Sequence, residues 1–216
     1  MSDDNWFRNE AWNPEIAEQF QARLQRSRKK PQYLRIQASI LAQTYPEAAL
    51  TLLEQYFASE ETFDLAQAYV DQATSYMAIG NIGAALSALE AAIARERAFP
   101  NVQTRAYLIL PSIIAKHGLQ ERYSQALDIL DAYRSKPTFP IDHYQWHGAR
   151  ALILSDQGKS AEAADAAMLA LEASRRTDSG FRHHPDIGLV QNTSDDLGKR
   201  LKRIAHATTW WRSFFR

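Results

Sequence analysis

Two histidines four residues apart, His143 and His147, are the first residues in this chain that could do chemistry together. On a helix that spacing puts both rings on one face, where they can chelate a transition metal. Tyr144, Gln145 and Trp146 lie between them, so the glutamate of a zinc-protease helix is missing. His147 also falls on a core aromatic position of the repeat described below, and packing is the plainer reading. A second concentration is Gly180-Phe181-Arg182-His183-His184-Pro185-Asp186, in an irregular stretch between helical patterns. Arg182, His183 and His184 suit an anionic ligand, and loops carry function more often than helix cores do. The plainer reading there is a connection, with Phe181 tucked under the last helix. A metal or anion sensor built on His143, His147, His183 and His184 is therefore one functional reading, but not the leading one.

Other reactive sets are missing. The chain has no cysteine, which excludes disulfides, cysteine zinc sites and thiol catalysis. It has no glycine-rich phosphate loop and no serine in a nucleophile elbow. Carboxylates such as Glu60, Glu61 and Asp64 sit at the spacing of a solvated helix surface. No pair stands out for acid–base work. The expectation is a protein that is not an enzyme and needs no cofactor.

The elements that would position these residues are helices. Hydrophobic residues make up 45% of the 216, charged residues 23%, and glycine and proline number 8 each, which suits a folded helical chain. Start and stop signals recur. Asn13-Pro14-Glu15 joins a capping side chain, a proline for the first helical position and an acid at the positive helix end. Similar signals predict helices over about 14–28, 31–43, 46–59, 63–79, 81–98, 100–117, 121–135, 140–157 and 160–176. Thr193 or Ser194 then caps a tenth that runs into the tail. Pro111 falls inside the sixth, where regularity should fail.

The decisive pattern is a repeat. Tyr69, Ala73, Tyr76, Gly80, Ala85, Leu89 and Ala92 recur 78 positions later as His147, Ala151, Leu154, Gly158, Ala163, Ala167 and Ala170. Ala126 leads a copy between them and Ala49 one before them, so the leading alanines are spaced by 36, 41 and 37 residues. A lone helix pair cannot bury its apolar face, whereas stacked pairs bury a continuous core.

This pattern resembles the tetratricopeptide repeat. In that family a small residue in the first helix faces a small residue in the second; Ala73 with Ala85 and Ala151 with Ala163 match. The likeness is specific over 64–98, fair over 143–174, and weak over 31–60, where Gln37 takes the small position, and over 101–136. Trp6-Phe7-Arg8, the run from Phe99 to Thr104, and Ser179-Gly180-Phe181-Arg182 are also similar to a bacterial group of this type, a likeness that implies no function. The resemblance implies an all-α, right-handed superhelix of about four helix pairs plus capping helices. Residues 1–30 form an aromatic cap with the first helix, 31–178 the repeats, and 179–216 an irregular connection with a basic amphipathic helix.

It also implies that a peptide or helix of another protein binds on the concave face. Off the core stripe, that face carries Gln67, Val70, Asp71, Thr74 and Met77 in one unit and Gln145, Ala149 and Leu152 in the other. Some relatives clamp a client's C-terminal carboxylate there with lysine and asparagine. Val70 and Asp71 occupy that stretch here, so the clamp is not expected.

The tail offers another reading. The formal net charge is zero, yet the last twenty residues carry six basic side chains and no acidic one. Leu197, Leu201, Ile204, Thr208, Trp211 and Phe215 make one helical stripe. Docked on the ninth helix, the stripe caps the repeats. Resting on an anionic membrane, it would set Trp210, Trp211, Phe214 and Phe215 at the interface beside Lys199, Arg200, Lys202 and Arg203. The leading expectation is a cytoplasmic adaptor that binds protein. Peripheral attachment to the inner membrane is the runner-up. A second copy of the chain is a further candidate partner, and nucleic acid is not expected.

Overall fold

The computed structural model describes residues 5–59 and 63–214, with 208–214 as backbone only. The regular secondary structure of the described residues is all helical, with no strand. In chain order the helices are α1 (Pro14–Gln25), α2 (Lys30–Leu41), α3 (Pro46–Phe57), α4 (Leu65–Ala78), α5 (Ile82–Ala98), α6 (Ala106–His117), α7 (Tyr123–Ala132), α8 (Pro140–Asp156), α9 (Ser160–Ser174) and α10 (Asp196–Phe214). The chain divides into two compact units, 1–106 and 107–216.

In the first unit, α2 packs on α3 and α4 packs on α5 as hairpins. The proline-led starts hold: Pro14 and Pro46 open their helices, and Asn13 accepts the Ile16 amide at 2.9 Å. Trp6, Phe7 and Trp12 pack against Phe20 and Tyr33, with ring centroids 4.4–5.7 Å apart, and close the front of this core. Gln37, the residue out of pattern for the repeat, explains how that aromatic segment is held. It is fully buried; its amide oxygen accepts the Asn9 backbone N–H at 2.9 Å, and its amide nitrogen donates to the Asn9 carbonyl at 2.7 Å. A buried side-chain amide must be satisfied, and Asn9 satisfies it.

The sixth helix starts later than Pro100 suggests. Buried Glu96 accepts both the Thr104 amide, at 2.9 Å, and its hydroxyl. The Thr104 hydroxyl oxygen in turn accepts the Ala106 amide. These bonds hold 99–105 out of helix until Ala106, and α6 then runs through Pro111.

In the second unit, α8 and α9 form the main hairpin. The Asp142 carboxylate accepts the Phe139 amide at 3.1 Å, and Pro140 opens α8. Gly80 after α4 and Gly158 after α8 both turn left-handed, with φ of 78° and 75°. At each, the glycine amide bonds three residues back and the next amide five back, the bonding of a Schellman stop. Asp195, not Thr193 or Ser194, caps α10, its carboxylate accepting the Gly198 amide at 2.9 Å. The described part of the apolar stripe of α10 docks on α9: Leu201 and Ala205, with Leu197 and Ile204 beside them, pack on Ala166, Ala167, Ala170 and Ala173.

The stretch 178–188 is a loop bonded to itself. Ser179 donates to the Pro185 and His184 carbonyls, and the Gly188 carbonyl accepts the Ile141 amide at 2.8 Å. A Cβ on Gly188 would lie 2.4 Å from Cβ of Phe139, so the loop touches the start of α8 through bare backbone. Phe181 packs tilted against Phe139 at 5.2 Å and stays 44% exposed, rather than lying under the last helix.

Candidate functional site

The off-stripe residues of the two repeat units meet different fates. On α4, Val70 and Asp71 are 7% and 6% exposed; on α8, Ala149 and Leu152 are each 3%. The expectation that they point away from the core does not hold for these four. A neighbouring helix covers each face, and helical periodicity within one segment cannot reveal that neighbour. Gln67, Thr74, Met77 and Gln145 remain partly accessible.

Around Asp71 the first unit builds a polar knot. Gln67 donates to one carboxylate oxygen at 2.9 Å and Arg35, from α2, to the other at 3.3 Å. The Arg35 Nε lies 3.2 Å from Asp64, so Asp64 is an ion-pair partner rather than a solvated surface acid. Burial pushes the Asp71 carboxyl from its ordinary 3.8 to about 6, against the lowering effect of the Gln67 and Arg35 bonds. Such a knot ties α2 to α4.

The second unit closes the corresponding face with apolar contact. Gly148 stands where the first unit has Val70, and its missing side chain leaves room for Leu197 and Leu201 of α10; an added Cβ would touch their methyl carbons at 3.5–3.6 Å. Beside that contact a pocket of about 280 Å³ opens between α6, α8 and the start of α10. Ala149, Leu152 and Leu197 give it apolar walls; Ser112 and Lys116 of α6 with the capping Asp195 and with Asp196 and Arg200 of α10 give it polar ones. Two candidate partner residues, Ala149 and Leu152, thus line a pocket together with Arg200 from the tail. Lys116, Ser112, Asp195 and Asp196 carry no sequence signal, because they join the site only when three helices meet.

His143 and His147 share a face of α8, with rings 6.4 Å apart. Trp146 packs edge-on against His147 at 4.7 Å and donates its indole N–H to the Leu130 carbonyl at 2.9 Å. Burial is the first cause that lowers both imidazoles; His147 falls from 6.5 to about 4, with His143 and Arg150 adding to the effect. Among the described residues no group of three or more His, Asp or Glu side chains is placed to hold a metal. Arg182, His183 and His184 are exposed on the self-bonded loop.

On α10, Lys199, Lys202 and Arg203 are exposed, and Arg200 is half-buried at the pocket. The side chains of Trp210, Trp211 and Phe214, and all of Phe215, lie outside the described residues. Among the described residues no helix is long and apolar enough to cross a membrane. Comparisons with protein-family models, with curated proteins and with solved structures find no match to this chain.

Proposed function

We propose that this chain is a non-catalytic interaction scaffold whose helix pairs bind a peptide or amphipathic helix of a partner protein. One observation carries the reading: the α8–α9 pair already holds an amphipathic helix, α10, with Leu197 and Leu201 seated at Gly148. A surface that takes the chain's own leucine stripe has the chemistry of a helix-in-groove site. Support for the tetratricopeptide plan is local. The small residues of the signature, Ala73, Ala85, Ala151 and Ala163, are all at most 1% exposed, and both pairs stop on a left-handed glycine.

Taken unit by unit, the accessible residues of the proposed client surfaces are Gln67, Thr74 and Met77 on α4 and Gln145 on α8. A photo-crosslinking residue placed singly at Thr74, Met77 and Gln145, with Met168 on the exposed side of α9 as control, tests this. The expected result is a protein captured at Thr74 and Met77, at Gln145, or at both, and not at Met168, which then binds the purified chain in stoichiometric amount. Capture of the same proteins from all four positions, or none that binds on reconstitution, overturns the reading.

A further inference from the structure

The pocket between α6, α8 and α10 has a chemistry of its own. Its floor, Ala149 and Leu152, is apolar and closely packed. Its rim carries two cations, Lys116 and Arg200, and two carboxylates, Asp195 and Asp196. Among the described residues none of the four forms an ion pair. The only side-chain bond among them is that Asp195 accepts the Gly198 amide, which leaves its second oxygen uncommitted. A rim with both signs of charge unpaired around an apolar floor selects for a ligand that is itself divided in this way. An anion would face two carboxylates and a cation two basic groups, and like-charge juxtaposition costs affinity. Size narrows the class: about 280 Å³ is at or below the lower end of small-molecule pockets, roughly 300–1,000 Å³.

We infer that this pocket binds a small aliphatic zwitterion of the free amino-acid class. Its carboxylate meets Lys116 and Arg200, its ammonium meets Asp195 and Asp196, and its side chain lies on Ala149 and Leu152. The site does not depend on the protein-partner reading. Its charged groups come from two places in the chain, Lys116 from α6 and the rest from α10 and its capping residue Asp195. A bound ligand therefore bridges α10 to α6 and slows opening of the start of α10.

Calorimetric titration of the full chain with L-leucine, L-leucinamide and 4-methylpentanoate tests the assignment. The amide lacks the carboxylate and the acid lacks the ammonium. Saturable binding of leucine below about 1 mM is expected, with each truncated probe at least about tenfold weaker. Hydrogen exchange at the start of α10 slows only with leucine. Lys116→Gln and Asp196→Asn alter exposed side chains, so both variants fold, and each weakens leucine by about tenfold. No binding of leucine up to about 10 mM overturns the inference, as does a truncated probe that binds as well as leucine. Full binding by both variants overturns it equally, by placing the site elsewhere. Crosslinking at Thr74, Met77 and Gln145 is read separately, so either reading can fail without the other.

Discussion

The α4–α5 and α8–α9 hairpins share one register and differ in how their outer face is closed. Position for position, Ala73 matches Ala151 and Gly80 matches Gly158, and both hairpins bury those alanines and turn on those glycines. Off the signature they part. Val70 and Asp71 in the first become Gly148 and Ala149 in the second. The first face is closed by a buried carboxylate that takes bonds from Gln67 and from Arg35 of α2. The second is closed by a glycine gap that admits two leucines of α10. The repeat signature thus specifies how a hairpin packs on itself. The residues between signature positions specify which neighbouring element closes its outer face.

The largest test of that contrast is Leu201→Ala. Leu201 is fully buried in the α8–α9–α10 core, and its truncation should cost about 3 kcal/mol in the second unit. Denaturant unfolding gives the size. Hydrogen exchange gives the place: α10 should lose protection while α4 and α5 keep theirs. Equal loss in all three helices would mean that α10 is not closing one hairpin in particular.

The extent to which these features are legible in sequence follows from the distance between partners. Pro14, Pro46 and Pro140 mark true helix starts, because a proline at the first helical position acts locally. Gly80 and Gly158 mark true stops for the same reason. The start of α6 is hidden, since Glu96 reaches eight residues on to Thr104. Gln37 reads as a flaw in the repeat until Asn9, 28 residues away, is seen beside it. Of the pocket, Ala149, Leu152 and Arg200 lie in segments whose periodicity draws attention, while Lys116, Asp195 and Asp196 do not. Burial of Asp71 is invisible for a further reason: its partner Arg35 lies on a helix where the repeat signal is weakest.

A middle-sized effect should separate the hairpins by pH. Asp71 has a folded pKa near 6 against 3.8 ordinarily, so the folded state holds its proton more tightly. Its stabilising contribution is complete below about pH 4 and is lost as pH rises through about 6. His147 is shifted the other way, from 6.5 to about 4. Its contribution is complete above about 6.5 and is lost as pH falls through about 4. Between those limits acid favours the first hairpin and disfavours the second. Exchange protection, corrected for intrinsic rates and measured at pH 5 and pH 7, should rise in α4 and fall in α8 on acidification. Asp71→Asn should abolish the first trend and His147→Phe the second. Arg35→Met leaves the Asp71 carboxylate without its cation and should cost about 2 kcal/mol at pH 7, less at pH 5, where the proton replaces the lost charge. A cost that does not vary with pH would show that Arg35 acts by packing alone.

The smallest effect should be the same in both hairpins. Gly80 and Gly158 hold nearly equal positive φ, and an added Cβ at either meets nothing within 4 Å. Alanine there is opposed only by its own backbone preference, about 1 kcal/mol in each case. Asparagine tolerates the left-handed region better and should cost about half as much. Thermal unfolding of Gly80→Ala and Gly158→Ala should therefore give matching losses, although the faces nearby are closed by a charge in one hairpin and by leucines in the other. A difference of more than about 1 kcal/mol between the two alanine variants would break the comparison at its base. It would mean that the turn senses which partner lies on the outer face, and the two levels of specification, hairpin and partner, would no longer be separable.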